Sequence, residues 1–251
     1  STTTALIGEI ISHSNLFENA YVVGNIGVPF SQRVKQMTSG DIAVVEVSSF
    51  QLETIETFRP KISVILNISP DHLDRHKSME NYILAKKRIF ANQTCDDYTV
   101  LNYNHTIVRK FYQETKADVI FFCSQNEESF VGVFVKDREI TVNFENQITS
   151  ICKIEQIQLP GQHNLENILA AVAVGSILDI PPDTICKAIT KFKGNEHTFE
   201  YVEEINGIKF INDTKATNVA ATKVALETAS EPIILVMGGY DKGNDYSPLF
   251  L

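Results

Sequence analysis

The chain has 251 residues, of which 43% are hydrophobic and 21% charged, ordinary globular usage that excludes a disordered, collagen-like or coiled-coil polypeptide. Lys and Arg number 22 against 31 Asp and Glu, and the resulting net charge of −9 argues against a non-specific grip on nucleic acid or on an anionic membrane. The length sits at the upper edge of what one hydrophobic core supports, so one large domain or one and a half is expected. The longest apolar stretch, Ile168 to Leu178, is too short to span a bilayer, and no basic-then-apolar signal segment opens the chain. The cytoplasm is the expected compartment. Cys95, Cys123, Cys152 and Cys186 lie far apart with no CxxC pair and read as buried thiols rather than a zinc knuckle or a disulfide framework.

In chain order, Ser1-Thr2-Thr3-Thr4 opens without an initiator Met and runs straight into a helical pattern over 2–13. Short β-rich apolar runs then alternate with longer amphipathic ones, the pattern of parallel strands joined by crossover helices. Strands are predicted at 21–23, 42–47, 62–67, 99–102 and 119–123, with helices over 79–91 and 105–115. From 130 to 144 the pattern alternates around Lys136-Asp137-Arg138-Glu139, an antiparallel hairpin that makes the sheet mixed. A helix follows over 163–178, then a Pro181-Pro182 break that starts a second helix reaching Phe192. Asn206-Gly207 between 201–205 and 208–212 predicts another hairpin, followed by a helix over 219–228 and a strand at 233–237. A domain boundary near Gly194 divides the chain into 1–193 and 194–251. The second unit holds little more than one strand-helix-strand, too little to cover both faces of a parallel sheet, so the chain is expected to be cut at that end.

Several polar clusters carry chemistry. Ser1-Thr2 reads either as an ordinary N-cap or as the tail of a GxxxxGK[ST] phosphate loop whose glycines and lysine are missing. Glu46 closes an apolar strand, where open α/β sheets hold ligands; it reads as a Mg²⁺ ligand or as a solvated acid. The run Asp71-His72-Leu73-Asp74-Arg75-His76 is a polar turn with an Asp cap, a metal site using His72, or a zinc hydrolase site. Lys86 and Lys87 lie on a helix whose Ile83, Leu84, Ile89 and Phe90 are expected to face the core, and most such lysines are solvated. Gly161-Gln162-His163-Asn164, with Asn167, starts a helix whose amides and imidazole could reach a nucleotide. Asn212-Asp213-Thr214-Lys215-Ala216-Thr217-Asn218 is more polar than one cap requires, and a Gly238-Gly239 turn brings Lys242 towards an anion.

In this order the motifs resemble the Mur ligases. The carriers are Ser1-Thr2-Thr3-Thr4, Gly24-Asn25-Ile26-Gly27-Val28-Pro29, the run from Glu46 through Ser48-Ser49-Phe50-Gln51-Leu52-Glu53, the Asp71 to Arg75 run, Gly161 to Asn164 with Asn167, and Asn212 to Asn218. The resemblance implies a P-loop-type, mixed but mostly parallel α/β sheet with flanking helices, plus the beginning of a second Rossmann-like α/β domain that holds the incoming amino acid. It implies ATP-dependent addition of D-glutamate to UDP-N-acetylmuramoyl-L-alanine through an acyl phosphate, in peptidoglycan synthesis, by a monomer without nucleic-acid or membrane partners. By the same resemblance, Ser1 and Glu46 would hold one Mg²⁺, and His72 a second one shared with a carbamylated Lys86. Thr2, Asn164, Asn167, His197 and Asp213 would lie near the nucleotide. Asn25, Ser48, Lys215, Thr217 and Lys242 would meet the substrates. Thr198 stands where the family carries an arginine that contacts the nucleotide, and the missing loop glycines and lysine mark the chain as a fragment. Two alternatives stay open from the residues alone: a metal-dependent hydrolase, and an inactive nucleotide-binding fragment.

Overall fold

The computed structural model describes residues 1–125, 131–144, 147–229, 231–240 and 245–250. Helix α1 (Thr2–Ser12) buries Leu6, Ile7, Ile10 and Ile11, the three-and-four spacing of one helical face. Strands β1 (Ala20–Gly24) and β2 (Ile42–Glu46) pair in parallel, with Gly24 opposite Glu46. The one-turn helix α2 (Phe30–Arg33) lies between them, and α3 (Ser49–Leu52) follows β2. Next come β3 (Ile62–Ile65), the short α4 (Leu73–His76), α5 (Met79–Lys87), β4 (Tyr98–Asn102), α6 (Thr106–Arg109) and β5 (Asp118–Cys123). Strands β6 (Gly132–Lys136), β7 (Glu139–Phe144) and β8 (Gln147–Lys153) complete a sheet in the order β3-β4-β5-β6-β7-β8. Its β3-β4, β4-β5 and β5-β6 pairings are parallel, and β6-β7 and β7-β8 antiparallel, so the sheet is mixed as its alternating patterns predict. Asp137 and Arg138 turn β6 into β7 with φ of 48° and 63°, the double left-handed bend that matches strand twist.

Helix α7 (Gln162–Ile177) is the centre of the core. Residues 168–173 are all 0% exposed, because α7 packs against α1 on one side and against β4, β5 and β6 on another. Helix α8 (Pro182–Lys191) starts after Pro181 and buries Ile185, Ala188 and Ile189 on one face. The hairpin β9 (Glu200–Ile205) and β10 (Ile208–Asn212) turns on Asn206 and Gly207, at φ 53° and 80°, and leads to α9 (Val219–Thr228), capped by Asn218.

Four expectations are revised. The run 233–237 is no strand: Ile234 and Val236 are 89% and 91% exposed, and no described strand pairs with its backbone, which a strand needs to satisfy its amides. Strand β8, by contrast, forms in a stretch whose outward face is too polar to announce it. The helices over 79–91 and 105–115 tighten into 3₁₀ turns at Arg88–Phe90 and Lys110–Gln113. On α5 Tyr82 and Ala85 are buried and Ile83 packs against the core as expected, as do Ile89 and Phe90 just beyond, while Leu84 is exposed. Cys95 is exposed as well, whereas burial pushes the Cys152 thiol up to about 12. Residue 130, the expected start of the first hairpin, lies outside the described residues.

Leu169→Ala empties part of the space between α7 and its neighbours. It should cost about 2–5 kcal/mol of stability, read as a lower urea midpoint at unchanged slope.

Candidate functional site

The polar clusters gather at the C-terminal ends of β2 and β3 and at the first turns of α1 and α7. At Gly24, φ of 109° and the absence of a side chain let β1 run against β2, where a Cβ would stand 2.3 Å from the Glu46 carbonyl oxygen. Asn25 then donates its backbone N–H to the Glu46 carbonyl at 2.8 Å and its side-chain amide to Glu46 Oε1 at 3.2 Å. Glu46 Oε2 is buried, accepts no geometrically formed hydrogen bond, and faces the Ser1 α-amino nitrogen at 2.8 Å. Desolvation pushes this carboxyl up, but the positive charge, the Ser1 hydroxyl and the Asn25 amide outweigh it and hold it below the usual carboxylate range. A part-buried carboxylate beside a serine hydroxyl is a donor set that a hard divalent ion takes, so Mg²⁺ fits here.

Ser48 caps α3 in a closed box: its hydroxyl accepts from Gln51 N–H, and its own N–H donates to Gln51 Oε1 at 2.8 Å. After β3 the chain turns at His72, held left-handed at φ 53° with its N–H on Asp71 Oδ1 at 2.9 Å. Such a bend in a non-glycine residue costs of order 1–3 kcal/mol and persists only where the surroundings impose it. The Phe50 ring lies against His72 and stacks on His76, at centroid distances of 5.0 and 5.3 Å.

Lys86 is half-buried with its Nζ 5.3 Å from the Tyr82 ring centroid. Desolvation pulls its ammonium below the usual lysine range, against the upward pull of Asp71 and Glu46, which lie close enough to be felt. Its neighbour Lys87 turns the other way and pairs with Glu114. Asn218 donates to Asp71 Oδ2 at 3.5 Å and brings the start of α9 to this cluster.

A second set surrounds the start of α7. Gly161, at φ 95°, precedes the helix, and a Cβ there would lie 2.7 Å from the His163 ring. The Thr3 hydroxyl donates to Asn167 Oδ1 at 2.9 Å, Asn167 to Asn164 Oδ1 at 3.3 Å, and Asn164 to the Pro160 carbonyl at 2.7 Å. This line of bonds ties α1 to the Pro160-Gly161 turn. Burial pulls the His163 imidazole down against the opposing pull of Asp213, and pushes the Glu166 carboxyl up against the Asn102 amide. The His163 imidazole is the one that the Gly161-Gln162-His163-Asn164 run is expected to bring to a nucleotide, whereas Glu166 carries no expected role. Asn218 is of the same kind as Glu166, present in a motif but given no role, whereas Asp71 is expected as a turn cap or as part of a hydrolase site.

Asp213 accepts the Phe199 N–H, and His197, at φ 65°, bonds Asn212 through Nδ1 at 2.9 Å. Lys215 lines a separate cavity of about 460 Å³ with Glu9, Ser12, Asn195 and Glu196. Thr217 is exposed, and Lys242 lies outside the described residues. Asn195 Nδ2 and Thr198 Oγ1 are buried without hydrogen-bond partners. Among the described residues no three His, Cys, Asp or Glu side chains converge as a metal cage, the geometry a zinc hydrolase needs.

Residues 1–175 match the family described as Mur ligase middle domain. The chain is 47% identical over 247 residues to the UDP-N-acetylmuramoylalanine--D-glutamate ligase of Alkaliphilus metalliredigens, and 42% over 249 residues to that of Clostridioides difficile. These alignments take in 98% and 99% of this chain and 54% of each relative, so the chain spans about half the length of the curated relatives it matches. In fold it is similar to MurF of Acinetobacter baumannii (TM-score 0.70, 16% identity, 90% of this chain and 51% of that one). It is similar too to a pseudomurein peptide ligase type C of Methanothermus fervidus (TM-score 0.67, 20% identity, 91% and 54%).

Lys86→Met removes a charge that burial disfavours. Because the folded lysine loses its proton below the ordinary 10.5, the unfolded chain binds more protons between the two values, and wild-type stability rises with pH in that window. The variant should therefore be the more stable protein at pH 7.5, with the gap narrowing towards pH 10.5 in paired urea titrations.

Proposed function

The chain belongs to the Mur ligase family, and from that premise we propose that it carries the ATP-handling part of a ligase that adds D-glutamate to UDP-N-acetylmuramoyl-L-alanine. The observation that carries this reading is the part-buried Glu46 carboxylate at the end of β2, beside Ser1 and Asn25, with Lys86 close enough to feel both it and Asp71. The 42–47% identity to D-glutamate ligases supports the substrate choice. No observation favours a hydrolase or an inactive nucleotide binder.

In this reading the terminal carboxylate oxygen of the L-alanyl substrate attacks the γ-phosphorus of ATP, and ADP leaves. The amine of D-glutamate then attacks the acyl carbon, phosphate departs, and the amine loses a proton. Carboxylate and triphosphate repel each other, so this chemistry is carried by charge neutralisation and positioning. Bound Mg²⁺ would supply that neutralisation. Ser1 and Glu46 would hold one ion, and His72 with Lys86 a second. Burial that disfavours the Lys86 ammonium favours the free amine, whose nitrogen can add to carbon dioxide and release a proton; the carbamate is an anion able to ligate a hard metal. Thr2, Asn164, Asn167, His197 and Asp213 would line the nucleotide, with the Thr3-Asn167-Asn164 line of bonds presetting the two asparagines. Asn25, Ser48, Lys215, Thr217 and Lys242 would meet the acceptor and the amino acid. Residues 1–193 would form the ATPase unit and 194–251 the start of the amino-acid-binding one, working as a cytoplasmic monomer.

Full-length protein supplied with ATP, Mg²⁺, UDP-N-acetylmuramoyl-L-alanine and labelled D-glutamate should form one amide per ADP. Incorporation of another amino acid in its place overturns the assignment. Glu46→Gln should lower kcat about 10²–10³-fold, as loss of one placed electrostatic group does.

A further inference from the structure

His76 is a shut-in imidazole that the proposed chemistry does not use. Its side chain is 2% exposed, and its ring nitrogens both find partners: Ser49 Oγ lies 2.9 Å from Nε2, and Glu53 Oε1 lies 3.3 Å from Nδ1. A carboxylate only accepts, so in the neutral ring the proton sits on Nδ1 facing Glu53, and Nε2 accepts from the Ser49 hydroxyl. Ser49 is itself 3% exposed, which closes it to any substrate and rules out a nucleophilic role for this Ser-His-Glu line.

Three elements meet at the ring. Ser49, Phe50 and Glu53 belong to α3 and its C-cap, three to seven residues beyond Glu46. His76 ends α4, whose N-cap is His72. Asn81 on α5 donates its amide to the His76 carbonyl at 2.9 Å, and the Tyr82 ring lies 5.1 Å from the imidazole, next to the Lys86 ammonium. Arg75 donates to the other Glu53 oxygen at 2.9 Å, and Arg88 to the Leu52 and Ile55 carbonyls, so the α3 side of the junction is braced from α4 and from the turn after α5. Each of the three elements joined at His76 thus carries, or directly follows, one of the groups proposed above to hold the ions: Glu46, His72 and Lys86.

Packing alone does not call for this residue. A phenyl ring fills the same volume and stacks on Phe50 and Tyr82 without two buried nitrogens that cost free energy unless both are bonded. The nitrogens specify an arrangement instead: they fix α3 to α4 in one register.

We propose that His76 is a positioning residue, which through Ser49 and Glu53 sets the separation of Glu46 from His72 and Lys86. The inference rests on the metal-holding role proposed for those three groups, not on which amino acid the ligase adds. Residues that orient metal ligands from behind typically change affinity or activity 10–100-fold when removed.

The test uses the full-length protein and four variants: His76→Phe, which keeps the stacked ring, His76→Gln, Ser49→Ala, and the double variant Ser49→Ala/His76→Phe. Mn²⁺ affinity by electron paramagnetic resonance, without turnover, is read beside kcat, the Mg²⁺ midpoint of ligation and the melting temperature. We expect His76→Phe and Ser49→Ala each to weaken Mn²⁺ binding and raise the Mg²⁺ midpoint about tenfold. The double variant should be no worse than either single one, and His76→Gln, which still reaches the Ser49 hydroxyl, should recover most of the loss. Should His76→Phe fail to fold, Ser49→Ala carries the test alone. Metal affinity within twofold of wild type in Ser49→Ala, or losses that simply add in the double variant, overturns the proposal. If the wild-type protein ligates no D-glutamate, the functional reading falls by itself, while the Mn²⁺ measurement still decides the role of His76.

Discussion

Helix α7 is apolar on every side over 168–173, and a helix of that kind has no stable place except in the middle of a fold. Its burial obliges α1 to cover one flank and β4 to β6 another, and the consequence reaches the site directly. With α1 and α7 packed side by side, the Thr3 hydroxyl bonds Asn167 across 164 positions of sequence. The first turns of both helices, where unpaired backbone N–H groups favour anions, therefore open in one neighbourhood. The hydrophobic arrangement of the core and the anion-binding potential of the site are one arrangement seen from its two ends.

Against that apolar base the strand ends carry charge at low solvation. Glu46 is desolvated but met by the Ser1 hydroxyl and the Asn25 amide, which pull its carboxyl down, whereas Lys86 is disfavoured as an ammonium in spite of two nearby carboxylates. The two groups are driven towards anion and neutral amine respectively, which suits a place that must hold cations against phosphates. The left-handed turn at His72 and the close approach at Gly24 are the backbone conditions for bringing them together. Behind them, the Ser49-His76-Glu53 line holds the short helices α3 and α4, which are too brief to have a fixed place by their own propensity.

Much of this was legible in the sequence where the signal is local. Alternation around Asp137-Arg138 and the Asn206-Gly207 pair mark their hairpins, and the helix forms over 219–228 as expected. The motif runs marked the strand ends at which the polar side chains collect. Other features depend on partners and stayed hidden. The run 233–237 has the composition of a strand and no neighbour to pair with among the described residues, while β8 has a weak pattern and a neighbour, β7, that makes it a strand anyway.

Two adjacent lysines show where the division falls. Sequence alone places Lys86 and Lys87 on one helix as ordinary solvated cations, and only the family resemblance singles out the first. In the folded chain the 100° step between successive helical residues turns Lys87 to Glu114 and Lys86 towards Glu46 and Asp71. Sequence by itself determined the α/β alternation, the turns and the identity of the chemical groups, because these follow from periodicity and residue type. Only the tertiary structure decided which groups are desolvated and which meet, as with His76 between Ser49 and Glu53, because burial and electrostatic reach are properties of distance in space and not of distance along the chain.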